Sequence, residues 1–206
     1  LVPQIYPITD ARISGLSHLE QVKLLIAGGA TCIQLREKYA SPREFYEQAV
    51  ECVAFARVRR VKIIINDRAD IALMSEADGV HLGQDDMPPE AARRLLGDGK
   101  IIGYSTHSVE QAIEAAKLAV DYIAIGPIFQ TDTKTDPDPV VGVESIEAVR
   151  AATGIVPLVA IGGIDLSNIA AVLDAGADSV AMIGAILSHP LGIEQAMRAA
   201  LIAASV

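Results

Sequence analysis

The sequence predicts a (β/α)₈ barrel, the TIM-barrel architecture of the α/β class, formed as one catalytic domain over residues 1–206. Three observations point there. β-rich runs alternate with helical segments eight times. Dividing 206 residues by eight leaves about 26 per unit, enough for a strand, a helix and two short loops. Polar residues gather where the strands end. Repeated β-then-α order implies a parallel sheet. The other architecture of this class, a doubly wound open sheet, usually carries a glycine-rich fingerprint after its first strand, and none is present.

The strands are read over 4–8, 31–36, 61–65, 79–82, 100–104, 122–125, 156–161 and 179–182. Helix starts agree with them. Ser17 with Glu20, Ser41 with Glu44 and Ser108 with Gln111 each fit a capping box, and Pro42 takes the favoured first helical position. Helices end in small-residue turns at 27–30, 96–99 and 175–178, the last echoing the first as a βα repeat should. The connection over 126–142 breaks the rhythm. It holds Thr131, Thr133 and Lys134 before two prolines, and its length suits a lid or binding loop better than a plain linker.

Composition narrows the class. Hydrophobic residues make up 51% and charged residues 21%, an ordinary globular balance. Aromatics are 4% and Trp is absent, so the core is built from Ile, Val, Leu and Ala, the filling of a covered parallel sheet. No apolar run reaches the roughly 18 residues of a membrane span. The start lacks both an initiator Met and a signal-peptide pattern, so the numbering is read as beginning inside a longer chain. Cys32 and Cys52 lie in apolar surroundings without metal-ligand spacing and are expected as reduced thiols in a cytoplasmic protein. The net charge of −9 argues against nucleic acid or an anionic membrane as partner. Small phosphorylated substrates remain compatible, held by local cations, backbone N–H groups and a metal. A homo-oligomer is compatible too, and the sequence leaves that state open.

Barrels of this kind place their active sites at the C-terminal strand ends. After the second strand, Gln34, Arg36 and Lys38 alternate, so an extended chain aims all three to one side, with Glu37 between the last two. Because the outward face of a barrel strand is apolar, that polar face is expected inside the mouth. Arg36 would grip phosphate oxygens as a planar fork and Lys38 as a point charge. The third strand runs into Asn66 and Asp67, and the fourth into Asp85 and Asp86. Carboxylates from neighbouring strand ends suit Mg²⁺, which takes one or two of them alongside substrate phosphates. Asp67 is also a residue type that caps helices, and Asp85-Asp86 one that makes turns. The fifth strand ends near Ser105 and His107. Ser105 is either a phosphate ligand or a turn residue, and His107 either an acid–base group or a solvent-facing one. Gly162-Gly163 and Ile183-Gly184 close the seventh and eighth strands, where barrels often bind phosphate through backbone N–H groups. The mouth thus has two anion sites, a basic, carboxylate-rich one for a metal-bound diphosphate and a glycine-rich one for a monophosphate.

Seven ordered stretches, QLREK at 34–38, IIND at 64–67, DGVHLGQDD at 78–86, GYSTH at 103–107, IGPIFQTDTK at 125–134, VAIGGI at 159–164 and VAMIGAI at 180–186, resemble the thiamin phosphate synthase family over nearly the whole chain. The resemblance implies Mg²⁺-dependent transfer of an aminopyrimidine methyl group from its diphosphate to a thiazole phosphate carboxylate. Thiamin phosphate, pyrophosphate and CO₂ would result. It assigns Gln34, Arg36, Glu37, Lys38, Asn66, Ser105 and Lys134 to the pyrimidine diphosphate. Asp67 and Asp86 are assigned to Mg²⁺, and Thr131, Thr133, Gly163, Ile183 and Gly184 to the thiazole phosphate. Arg36, Lys38, Ser105 and Lys134 become the catalytic set, since a departing diphosphate needs charge stabilisation and positioning more than a strong base. Two positions depart from the pattern. Arg68 stands where relatives often carry a second acid, and Gly184 stands where a Ser is common, which removes any hydroxyl contact to phosphate. Two rival functions remain. A related thiazole tautomerase would use His107 for proton transfer and needs no diphosphate machinery. A silent ligand-binding barrel would be expected to lose charged site residues before glycines.

Overall fold

A computed structural model describes residues 2–131 and 138–205. The first half of the chain runs β1 (Ile5–Thr9), α1 (Ala11–Ser14), α2 (His18–Ala27), β2 (Cys32–Leu35), α3 (Pro42–Arg57), β3 (Lys62–Asn66), α4 (Ala69–Met74), β4 (Gly79–Leu82) and α5 (Pro89–Leu96). The second half runs β5 (Ile101–Thr106), α6 (Val109–Ala115), β6 (Tyr122–Ile125), α7 (Glu144–Thr153), β7 (Leu158–Ile161), α8 (Ile169–Asp174), β8 (Ser179–Met182), α9 (Gly184–Leu187) and α10 (Ile193–Ala203). Every strand pairs in parallel with the next, and β1 pairs with β8, closing the barrel. This is the expected (β/α)₈ architecture. Among the described residues no helix is long and apolar enough to cross a membrane.

Alternation along each strand builds two apolar layers. On β3, Ile64 joins the inner cluster with Tyr6, Ile8, Cys32, Tyr122, Ala124, Val159 and Ala181, while Ile63 and Ile65 pack outward against the helices. Both faces of the strands are therefore buried, which is why they read as near-continuous apolar runs. Both cysteines are free and buried, and burial pushes each thiol up to about 12.

Strand limits differ from expectation by a residue or two, for local reasons. β3 gains Asn66, which pairs with His81 of β4, and β5 runs on to Thr106, which pairs with Ile125 of β6. β7 starts at Leu158, not 156, because Pro157 has no N–H to give the ladder. The Leu158 N–H goes instead to the Asp178 carboxylate at 2.8 Å. That pattern recurs: Asp78 accepts from Ile63 N–H at 2.8 Å and Asp121 from Ile102 N–H at 2.7 Å. The aspartate entering each of β4, β6 and β8 thus staples the start of the strand before it.

Helix starts follow the capping chemistry. Ser17 and Ser41 make complete capping boxes with Glu20 and Glu44, and Pro42 opens α3. Ser108 caps Gln111 N–H as expected, but the box is incomplete: Gln111 Oε1 accepts from His107 N–H at 2.7 Å, one residue earlier than a capping box requires. Among the described residues the Asp67 carboxylate caps no helix. α4 follows Arg68 without a side-chain cap, and Arg68 pairs with Asp70.

Candidate active site at the barrel mouth

The C-terminal strand ends surround a cavity of about 830 Å³. It is lined by Gln34, Arg36, Lys38, Asn66, Asp67, Asp86, Ser105, Thr131, Gly163, Ile183 and Gly184. Eleven residues spread over 150 positions of sequence thus meet in one space. Thr133 and Lys134 lie outside the described residues. Glu37 is turned away. Its Oε1 accepts from Tyr39 N–H at 2.7 Å and Ala40 N–H at 3.1 Å, and its Oε2 lies 3.3 Å from His18 Nε2. The period of two explains this: if Arg36 and Lys38 face the mouth, Glu37 faces the helices.

Arg36 is aimed by a residue that sequence reading did not single out. Asp10, buried at the end of β1, pairs with the Arg36 guanidinium and also accepts from Arg12 and Ile13 N–H groups at the start of α1. Its own N–H donates to Gln21 Oε1 at 3.0 Å. Asp10 is therefore held through both its backbone and its side chain before Arg36 meets it. Asp10 was legible only as an acid between a strand and a helix, a common capping position.

Asp67 leaves β3 with φ of 63°, a left-handed conformation that Asp tolerates better than most residues. Its N–H donates to His81 carbonyl at 2.8 Å, and its carboxylate pairs with Lys38. Asp86 Oδ2 accepts from Gly83 N–H at 2.7 Å. Partial burial, and then the carboxylate of Asp67 within hydrogen-bond reach, push the Asp86 carboxyl above its ordinary range. The two carboxylates lie within hydrogen-bond reach of each other, with Lys38 paired to Asp67, and form a donor set that a divalent cation would relieve. Among the described residues no group of three or more His, Cys, Asp or Glu forms a protein-only metal cage. Mg²⁺ fits this arrangement, since it takes one or two carboxylates and fills its remaining positions from water and phosphate.

Below this pair lies a buried polar chain. Ser105 Oγ is 2.8 Å from His81 Nε2, and His81 Nδ1 is 2.8 Å from Tyr122 Oη. Tyr122 Oη is 3.1 Å from Tyr6 Oη, and Gln34 Nε2 donates to Tyr6 Oη at 3.2 Å. Burial lowers His81 from 6.5 to about 4, keeping it neutral, and burial likewise raises both tyrosines above their ordinary value. His107 sits at the cavity wall with Nδ1 2.8 Å from Gly126 carbonyl.

On the opposite side, Gly163 has φ of 63°, and a Cβ there would strike the Gln130 carbonyl and come within 2.7 Å of Phe129 Cβ. Glycine is required for both reasons. The loop after β6 is thereby packed on the glycine turn after β7. Its two ends are pinned together by Val141 N–H donating to Pro127 carbonyl at 2.9 Å. Asn168 Nδ2 donates to Gly163 carbonyl at 3.2 Å, which fixes the turn. Ile183, at the start of α9, provides no side-chain cap, so among the described residues the first N–H groups of that helix are left without one.

Comparisons with known proteins show the family to which the chain belongs. The family model described as thiamine monophosphate synthase matches residues 5–186. A thiamine-phosphate synthase of Chloroflexus aurantiacus is 45% identical over 186 residues, covering 90% of this chain and 85% of that one. Another, from Koribacter versatilis, is 47% identical over 196 residues, covering 92% and 91%. Among solved structures, thiamine phosphate pyrophosphorylase from Pyrococcus furiosus superposes with a TM-score of 0.88 at 36% identity, covering 98% of this chain and 95% of that one.

Proposed function

Because this chain belongs to the thiamine monophosphate synthase family, we propose that its barrel mouth couples an aminopyrimidine methyl diphosphate to a thiazole phosphate carboxylate, releasing thiamin phosphate, pyrophosphate and CO₂. One observation carries the assignment of roles: a single cavity brings together a cationic, carboxylate-bearing wall and a glycine-turn wall. The reading takes residues 1–206 as one catalytic unit. It places that unit in the cytoplasm, where the free thiols of Cys32 and Cys52 would stay reduced.

In this reading Arg36 and Lys38 bind the diphosphate, Ser105 and Asn66 complete its contacts, and Gln34 meets the pyrimidine. Asp67 and Asp86 hold Mg²⁺, which when bound would neutralise charge on the diphosphate. The bond between the methylene carbon and the diphosphate oxygen breaks, with its electron pair leaving on oxygen. Arg36, Lys38 and Lys134 stabilise that developing charge, which is the costly event in a dissociative displacement. The thiazole nitrogen then captures the pyrimidine methyl cation, and loss of the carboxylate as CO₂ restores the aromatic ring. Backbone N–H groups at Gly163 and Gly184, with Ile183, Thr131 and Thr133, keep the thiazole phosphate fixed so that its nitrogen faces the cation. Glu37 supports this site indirectly, since its bonds to Tyr39 and Ala40 N–H groups shape the turn that follows Lys38.

Purified protein supplied with both substrates and Mg²⁺ should form thiamin phosphate and pyrophosphate in equal amounts, followed by chromatography. Absence of product together with proton exchange at the thiazole would replace this reading with the tautomerase.

A further inference from the structure

The buried chain from Gln34 to Ser105 does more than fill the barrel floor. It has a direction, and bookkeeping of donors and acceptors determines it. Gln34 Nε2 donates to Tyr6 Oη. The only other partner of Tyr6 Oη among the described residues is Tyr122 Oη, so the Tyr6 O–H hydrogen has that one acceptor. Were Tyr122 the donor in this pair, Tyr6 would accept twice and its own O–H would be buried without a partner, a costly state. Tyr6 therefore donates to Tyr122. The Tyr122 hydrogen then goes to His81 Nδ1, which must carry a lone pair, and the neutral ring keeps its proton on Nε2. That N–H donates to Ser105 Oγ.

We propose that Gln34, Tyr6, Tyr122 and His81 form a polarity-setting relay that turns the Ser105 hydroxyl into a hydrogen-bond donor toward the ligand in the cavity. With one Ser105 lone pair occupied by His81, the Ser105 O–H has no acceptor in the relay and is free for an oxygen in the mouth. The opposite tautomer would take the Ser105 hydrogen for itself and present only lone pairs to an anion. A donor is what a departing diphosphate oxygen requires, so the relay sets the sign of the Ser105 contact. His81, Tyr122 and Tyr6 act here as positioning residues: all three line the cavity, but their polar atoms are engaged with one another, with Gln34 and with Ser105.

The packing shows that this chain is built in. The Tyr122 ring stacks on His81 at 5.5 Å with 21° between planes, and meets Tyr6 edge-on at 6.0 Å. Gly103, on the strand between His81 and Tyr122, leaves the space in which the Tyr122 ring lies, because any Cβ there would overlap it. The opposite polarity would need the Gln34 amide turned over, with its NH₂ facing the cavity and its carbonyl on Tyr6. The two arrangements therefore predict opposite histidine tautomers.

This inference rests on the proposed synthase reading for its catalytic consequence, and its structural half can be tested separately. In ¹⁵N-histidine-labelled wild-type protein, long-range ¹H–¹⁵N spectra should show His81 protonated on Nε2 and bare on Nδ1. Tyr122→Phe keeps the ring and removes the donor, so His81 should become a mixture of tautomers. Turnover should fall by roughly 10- to 100-fold, short of the roughly 100- to 1,000-fold loss of an aimed donor removed outright, with KM for the thiazole phosphate within about twofold of wild type. In a Ser105→Ala background the same change should cost no more than about twofold further, because the relay has nothing left to orient. Tyr6→Phe, farther from Ser105, should give a smaller loss of the same kind and carries the test if Tyr122→Phe does not fold. A wild-type His81 protonated on Nδ1, or effects of Tyr122→Phe and Ser105→Ala that multiply, would overturn the relay. Wild-type protein lacking synthase turnover would instead overturn the function, with the tautomer still deciding the relay.

Discussion

The use of Arg36 to a diphosphate depends on where Asp10 holds it. A guanidinium pre-paired with a buried carboxylate loses less rotamer freedom on binding phosphate, but it also arrives partly neutralised. Asp10→Asn keeps the oxygen that caps α1 and removes the charge that fixes Arg36. KM for the pyrimidine diphosphate should rise about tenfold, roughly the worth of one charge-assisted contact, while thiazole phosphate affinity is unchanged. Steady-state kinetics with each substrate varied separately would show it, and equal changes in both KM values would refute the pairing argument. Asp86→Ala acts on the metal side. The Mg²⁺ concentration for half-maximal turnover should increase at least tenfold, with thiazole phosphate binding retained by calorimetry. Loss of both together would mean that the cavity does not divide into two sites. At this scale, Arg36, Lys38 and Asp67 were readable because they stand at alternate positions or right at a strand end. Glu37 shared their motif but faces the helix side. Asp10, His81 and Tyr122 were not readable in these roles, since their partners lie 24 to 116 residues away and only the assembled barrel brings them together.

Among the elements, the capping boxes at Ser17 and Ser41 could be read from four residues each, because cap and reciprocal carboxylate are both local. Ser108 shows the limit. The same spacing places a cap, yet the Gln111 side chain accepts from His107 N–H and does not complete the box. The aspartate staples were harder to see. Asp78, Asp121 and Asp178 each precede a strand in an ordinary small-residue turn, and their acceptor role depends on which strand lies alongside. Asp121, like Asp178, serves both a strand and a guanidinium: it accepts from Ile102 N–H and from Arg93 Nη2 at 2.6 Å, while Arg93 also donates to Lys100 carbonyl. It joins α5, β5 and β6 at the face opposite the cavity. Asp121→Ala would leave the Ile102 N–H without its acceptor and the guanidinium half-released. Urea unfolding should show a loss of about 1–3 kcal/mol, with KM for both substrates unchanged. An altered KM would mean that the lower rim is coupled to the mouth, against the usual separation of stability and catalysis between the two faces of such barrels.

For the molecule as a whole, eightfold strand–helix rhythm was enough to expect closure, because a parallel strand needs a partner on each side and only β1 and β8 can supply the last pair. Closure also creates a buried polar seam that rhythm alone does not show. His18, at the start of α2, lies under the first two strand ends, with Nδ1 2.7 Å from Thr9 Oγ1 and Nε2 3.3 Å from Glu37. Two influences oppose each other there. Burial disfavours the imidazolium, whereas Glu37 favours it, and burial wins: His18 is held below its ordinary 6.5. As pH falls through that value, the unfolded chain takes up the proton before the folded barrel does. The His18 contribution to stability is therefore complete above about pH 6.5 and is lost progressively on acidification toward its folded value. Chemical unfolding midpoints at about pH 7.5 and about pH 5.5 should differ more in wild type than in His18→Gln, which can still bond Thr9 but cannot titrate. The variant is expected to be less stable at the higher pH and to lose less between the two. If both proteins lose the same amount, acid sensitivity resides in carboxylates elsewhere, and the seam between β1 and β2 closes the barrel by packing alone.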